Sequence, residues 1–383
     1  MAASSVPHIL IVAGEASGDL HGAHLAKALR ELSPDVSIAA MGGKALAAQG
    51  VTMLADAAKL AVVGISEVLS HLGDIRTAMA TLGRHLREKR PDLVVLIDYP
   101  DFNLLLARKA KKLGIPILYY ISPQVWAWRS GRVKIIRRLV DRMAVILPFE
   151  SRFYAERGMM VDFVGHPLLD SVRTTMSRTE FRIRHAIPAD NTMVGILPGS
   201  RKKELAAMLP VFLAAAERLA TRHHSLTFLI PLAPTISRSD LDQCGLANSN
   251  LDVRVVEEER YDLMAACQAV MAASGTVTLE LTILGVPMVI SYRVSPLTYA
   301  LGRKLIKVPY ASLVNLVADE RVVAELLQDD AKPEKISLAV GRLLDDAAYR
   351  QAMIDKLHQV RAALGEPGAS RRTAQLALGM ISR

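Results

Sequence analysis

Three glycine turns and one acidic turn carry the residues of this chain best suited to chemistry. GEASGD (14–19) follows an apolar run and places Glu15 where a strand gives way to a helix, a position from which a carboxylate reaches into a cleft. It has neither the GK[ST] of a phosphate loop nor the GxGxxG of a dinucleotide fold, and Ser17 or Asp19 would cap the helix. IDYPDFN (97–103) puts Asp98 at the end of the most apolar run, with no simple structural duty and the chemistry of a general base. Asp101 reads instead as a helix N-cap. In GILPGSR (195–201), Gly199 lets backbone approach a ligand, and Ser200 with the following amides forms a helix N-terminus suited to a diphosphate. Arg201 adds a guanidinium able to grip two phosphate oxygens. ASGTVTLELTILG (273–285) opens a further helix at Ser274, Gly275 and Thr276, apolar apart from its threonines and Glu280. A buried Glu280 must accept hydrogen bonds, either from a ribose with adjacent hydroxyls or from a structural ion pair.

These turns need elements that hold them at one end of a sheet. Apolar runs alternate with helical patterns along the chain: HILIV (8–12), DLVVLID (92–98), PILYYIS (116–122), RMAVILPF (142–149) and FVGHP (163–167) in the first half. MVGILPGS (193–200), LTFLIPL (226–232), VRVV (253–256), AVMAAS (269–274) and VPMVISY (286–292) follow in the second. Continuous apolar strands between helices predict α/β architecture with parallel sheets covered on both faces. Two such sets joined across the polar stretch 170–191 predict two Rossmann-like domains facing a central cleft, over residues 1–170 and 171–350, with helices over 351–383 packing back on an N-terminal domain.

At 383 residues, 51% hydrophobic and 22% charged, the chain is globular in composition and longer than one ordinary core. Cys244 and Cys267 lack CxxC spacing, which argues against a zinc knuckle or disulfide scaffold and fits a reducing compartment. The N-terminus has no basic n-region and reads as a first strand rather than a signal peptide. The greasiest window, 276–292, is broken by Glu280, Gly285 and Pro287, so no spanning helix is expected. A net charge of +9, a pI near 9.6 and a mean hydropathy of +0.24 point to an anionic partner, nucleic acid or membrane surface.

The segment SPQVWAWRSGRVKIIRRLVDR (122–142) gathers both tryptophans and six basic residues against one acid. Trp126, Trp128, Arg129, Arg132 and Lys134 form a candidate lipid-facing surface there, with a solvated basic helix and core tryptophans as the competing account. GISEVLSHL (64–72) is a second apolar stretch, suited to a membrane, an acyl groove or the core. His21 and His24, one helical turn apart, have the spacing to bind a metal or shuttle protons but read first as a solvated or core-edge pair. Asp240 and Asp242 in a polar loop read as a helix cap rather than a metal-nucleotide site; no metal and no cofactor are expected.

Taken together, GEASGD, GISEVL, IDYPDFN, YYISPQVWAWR, LPFE, FVGHP, ILPGSRKKE, SGTVTLE and YASLVNL resemble, in order and over nearly the whole chain, the lipid-A-disaccharide synthase family of inverting GT-B glycosyltransferases. SPQVWAWR is the most specific of these strings. The resemblance implies transfer of a diacylated glucosamine from UDP to a diacylated glucosamine 1-phosphate, forming a β-1,6 linkage in lipid A and lipopolysaccharide synthesis. It implies Asp98 as base, Arg201 and Glu280 in handling the nucleotide, and functional polar groups at Glu15, Ser17 and Asn315. The first domain would take the acceptor and face the membrane, the second would bind the UDP-sugar, and the protein would lie in the cytoplasm, attached peripherally to the anionic inner membrane. Val314 stands where the family commonly has proline, and Ala318-Asp319 where it has Ala-Gly. The sequence leaves oligomeric state open. A UDP-sugar epimerase on a soluble substrate is the nearest enzymatic alternative. A nucleic-acid-binding protein is suggested by charge alone and lacks a reader motif, so no nucleic-acid partner is expected.

Overall fold

Strand β1 (His8–Ala13) is buried along both faces, Ile9 through Ala13 having almost no exposed surface. Such a strand is stable only with cover on each side. On one side Leu10 and Val12 join Leu96, Tyr119, Phe102 and Leu106; on the other Ile9 and Ile11 join Leu25, Leu29, Ile97 and Ala374. The computed structural model describes residues 6–57, 72–295, 299, 302 and 308–381. It divides the chain into two compact units, Met1–Pro167 with Gly365–Arg383, and Leu168–Leu364.

In the first unit β1 is followed by β2 (Ser37–Gly42), β3 (Thr52–Asp56), β4 (Leu93–Ile97), β5 (Ile117–Tyr120), β6 (Arg142–Val145) and β7 (Asp162–Phe163). Among the described residues these form one parallel sheet in the order β3-β2-β1-β4-β5-β6-β7. The second unit repeats the pattern with β8 (Thr192–Leu197), β9 (Leu226–Pro231), β10 (Val253–Val256), β11 (Ala269–Ala273), β12 (Met288–Tyr292) and β13 (Ala324–Leu327), ordered β10-β9-β8-β11-β12-β13. The chain is therefore α/β with two Rossmann-like parallel sheets. Among the described residues no helix is long and apolar enough to cross a membrane.

Three strands lie outside the sequence expectation. β2 (SIAAMG) has a single β-branched apolar residue, and the edge strands β3 and β13 are mostly half-buried, so none makes a long apolar run. FVGHP contributes only Phe163 to β7, because Gly165 takes a left-handed φ of 77° and ends the strand. The chain returns to the first unit at Gly365 rather than at residue 351. The helix Ala347–Ala363 packs on the second unit's helices Val277–Ile283 and Leu313–Ala318, and only the helix Ala369–Ile381 crosses back, onto the helix Ala16–Leu32.

Candidate functional site

In an open parallel sheet the crevice for ligands lies beyond the carboxyl ends of the strands, where the strand order reverses. In the first unit that point is between β1 and β4: the helix after β1 covers one face (Leu25, Leu29) and the helix after β4 covers the other (Phe102, Leu106). The turns leaving these strands carry Glu15 and Asp98. In the second unit the reversal lies between β8 and β11, whose turns carry Gly199–Arg201 and Ser274–Thr276. All four turns singled out by residue type fall at the two switch points.

Asp98 and Tyr99 are consecutive non-glycine residues with left-handed backbone, φ 43° and 46°. Such conformations cost about 1–3 kcal/mol each and persist only where the surroundings impose them. Here the Tyr119 hydroxyl donates to the Asp98 carbonyl (2.5 Å), and Asn103 Nδ2 donates to the same oxygen (2.7 Å) and to Ile97 O (3.2 Å). The Tyr99 ring lies over Gly14, where an added Cβ would meet ring carbons at 2.2 Å, so any side chain in the β1 turn would have to displace the ring. The strain presents a carboxyl whose pKa is raised to about 6, first by burial and then by the charge of Glu15. Glu15 itself is exposed and stands at the N-cap of Ala16–Leu32 without a side-chain cap bond; Ser17 is exposed beside it.

In the second unit Gly199 has φ 111°, with Glu204 closing over it. Arg201, not Ser200, is the N-cap of the helix Lys202–Ala220, and its guanidinium is mostly exposed. Ser200 N–H and Arg201 N–H donate to Glu204 Oε2 (3.2 and 3.3 Å), which corrects the expectation that these amides stand open to a diphosphate. Gly275 and Thr276 are exposed, and Ser274 Oγ donates to Ala311 O (3.4 Å). Glu280 is buried and ion-paired to Arg260, with the Tyr261 hydroxyl 3.4 Å away, so of its two sequence readings the structure contains the ion pair. A carboxylate accepts about four hydrogen bonds, which leaves it capacity for a ligand.

Other expectations give way to structural roles. Asn315 is fully buried and spent on the fold: its Oδ1 accepts from Val322 N–H and Val323 N–H, and its Nδ2 donates to Val323 O and to Glu325. It therefore offers no free group to a ligand. Glu325 also binds the amides of Ala311 and Ser312, so this pair fixes the segment that meets Ser274. Asp319 takes the left-handed C-cap (φ 53°) that glycine commonly fills, and Val314 lies buried in the first helical turn, where proline is also tolerated; both departures from the family pattern fit the backbone. Asp19 caps a different helix from its own, accepting from Gly43, Ala45 and Leu46 N–H at 2.6, 2.9 and 3.1 Å. Asp101 caps nothing; it is exposed and pairs with Arg132 (2.5 Å) and Arg129 (3.8 Å).

The tryptophans divide. Trp126 donates its indole N–H inward to the buried Glu150 (3.2 Å) and meets Phe149 edge-on, while the side chain stays half-buried. Burial pushes the Glu150 carboxyl up to about 7. Trp128 is 44% exposed under the Arg129 guanidinium, and Lys134 and Ile135 are exposed nearby in sequence. Segment 64–71 lies outside the described residues. Burial, then His24, lowers His21 to a pKa of about 4, so it is neutral at pH 7. Among the described residues no three His, Cys, Asp or Glu side chains are grouped to hold a metal.

Sequence reasoning missed Arg260, Tyr292, Tyr119 and Asn103, which hold the carboxylates and turns in place. Asn103 sits within the IDYPDFN turn and bonds back to Ile97 and Asp98, whereas Tyr119, Arg260 and Tyr292 meet partners at least 20 residues away. Of these only the arginine ending the EEER run (257–260) stands out, as a charge at a strand's carboxyl end.

The lipid-A-disaccharide synthetase family profile matches residues 9–380. Lipid-A-disaccharide synthase of Geobacter sulfurreducens is 50% identical over 98% of this chain and 97% of its own. That of Nitrosococcus oceani is 47% identical over 99% and 97%. Among solved structures, UDP-GlcNAc 2-epimerase of Neisseria meningitidis bound to UDP-GlcNAc superposes with a TM-score of 0.66 at 14% identity, covering 97% of this chain and 100% of that one. Acinetobacter baumannii MurG does so with a TM-score of 0.61 at 16% identity, covering 97% and 99%. At those identities the structural matches speak to the fold alone, whereas the sequence matches run end to end: the chain belongs to the lipid-A-disaccharide synthase family of GT-B glycosyltransferases.

Proposed function

We propose that this chain condenses UDP-2,3-diacylglucosamine with 2,3-diacylglucosamine 1-phosphate, giving the β-1,6-linked disaccharide 1-phosphate and UDP. The observation that carries the reading is the Asp98 carboxyl, raised to about 6 beside Glu15 at the first sheet's switch point. A base titrating just below neutral pH is ionised when needed yet basic enough to take a proton in the transition state. The acceptor's 6-hydroxyl oxygen attacks the anomeric carbon of the donor, and its proton passes to Asp98. The bond from that carbon to the diphosphate oxygen breaks, UDP leaves with the electron pair, and the configuration inverts. Arg201 neutralises charge gathering on the diphosphate, and Glu280 accepts from the ribose hydroxyls beside its arginine partner. No metal is required in this scheme.

Lipid substrates call for a surface that meets a membrane. Trp128 with Lys134 and Ile135 suits an anionic bilayer, while Arg129 and Arg132 are partly neutralised by Asp101. Lys134→Ala is expected to weaken sedimentation with anionic vesicles roughly fivefold at low salt. Trp128→Ala should weaken it by a similar factor; binding that neither change nor salt affects would sink this surface.

The reaction is tested by mass spectrometry of products from the two lipid substrates in mixed micelles, with and without EDTA. A tetraacyl disaccharide 1-phosphate formed equally in both is the expected result. Conversion of soluble UDP-N-acetylglucosamine with no disaccharide would instead favour an epimerase.

A further inference from the structure

The turn after β8 offers an incoming anion two backbone amides and one guanidinium, and the chain has filled it with a carboxylate of its own. Glu204 Oε2 accepts from Ser200 N–H and Arg201 N–H, and its Oε1 accepts from Arg201 Nη1 at 3.2 Å. The same oxygen accepts from the Tyr292 hydroxyl at 3.1 Å, reaching from the end of β12 past β11 to β8. Gly199 completes the socket: a Cβ there would lie 2.7 Å from both Cβ and Oε2 of Glu204. Only 15% of the Glu204 side chain is exposed, against 64% of Arg201's. An ordinary surface pair spaced i,i+3 has none of this support.

Two roles are conceivable for a carboxylate so placed. If it withdrew to free the amides, the Tyr292 hydroxyl and both N–H groups would lose their acceptor, and a charged side chain would have to leave a half-enclosed seat. If it stays, it holds one edge of the Arg201 guanidinium and leaves Nη2 and Nε to face a ligand. The donor set favours staying, because every group around Glu204 donates and none repels it.

We propose that Glu204, seated by Tyr292, is a positioning residue that aims Arg201 at the diphosphate of the sugar nucleotide, so that the guanidinium rather than the helix amides makes the anion contact. This rests on the reading of the second unit as the nucleotide-binding unit.

The test measures the dissociation constant of UDP by calorimetry, and the KM for the donor and for the acceptor, in wild type, Tyr292→Phe, Glu204→Gln and Arg201→Ala. Tyr292→Phe removes only a hydroxyl and keeps the ring in place. The proposal expects UDP to weaken about tenfold in Glu204→Gln and severalfold in Tyr292→Phe, with donor KM rising in step and acceptor KM unchanged. A purely structural role would lower the melting temperature without that donor-specific split and would overturn it. Tighter UDP binding in Glu204→Gln would also overturn it, by making the carboxylate a competitor that must leave. If Arg201→Ala binds UDP as wild type does, the nucleotide reading of this turn fails instead.

Discussion

Asp98→Asn should cut turnover by about 10²–10⁴-fold with little change in donor KM, and should also stabilise the fold. Asparagine keeps the shape and cannot take the proton of the attacking hydroxyl. The backbone holding the side chain in place binds through the residue's carbonyl, to Tyr119 and Asn103, and is untouched by the change. The stability effect follows from linkage. The carboxyl titrates near 3.8 when unfolded and near 6 when folded, so between these values the folded state holds more protons than the unfolded one. Stability therefore falls as pH rises through that window, and above it the ionised carboxyl costs about 2–3 kcal/mol. The variant should be more stable than wild type at pH 7, and the difference should vanish near pH 4 in urea unfolding of the two proteins. A variant that is both inactive and less stable at pH 7 would mean that the carboxylate is structural.

Arg201→Ala carries the second large effect. The guanidinium is mostly exposed, with one nitrogen on Glu204, so its removal should cost the fold little. Charge-assisted hydrogen bonds contribute about 1.5–3 kcal/mol each, so losing a paired contact should raise donor KM and weaken UDP by about 10–100-fold. A fall in kcat beyond this would report the arginine's share in stabilising the leaving group. Arg201→Lys should recover only part of the loss, because an ammonium cannot grip two oxygens in one plane. Steady-state kinetics with UDP as product inhibitor separate these terms; unchanged UDP inhibition in Arg201→Ala would remove this residue from the nucleotide site.

The turns that carry Glu15, Asp98, Arg201 and Ser274 are legible in the sequence because each ends a strand covered on both faces, and such strands read as unbroken apolar runs. That all four lie at strand-order reversals is not legible, since β2 and β3 sit beside β1 and neither stands out by composition. The misreadings share one cause. Asp19 and Asp101 each lie in the first turn of a helix and look like local caps, yet their partners come from other elements. Asn315, which only the resemblance placed among the functional polar groups, is taken up by Val322, Val323 and Glu325, at β13 and the residues just before it. Trp126 and Trp128 share a basic stretch, and only the fold reveals that Glu150 draws one of them inward. Glu204 and Tyr292 lie 88 residues apart, so nothing short of the β8-β11-β12 order links them.

The most direct test of the account is the pH dependence of kcat/KM for the acceptor in the wild-type enzyme, from about pH 5 to about pH 9, followed through UDP release. With Asp98 as the base, the rate should fall with unit slope on the acid side of an apparent pKa near 6, and Asp98→Asn should lack that limb in its residual activity. A profile flat to pH 5, or an acid limb that survives in Asp98→Asn, would show that another group accepts the proton.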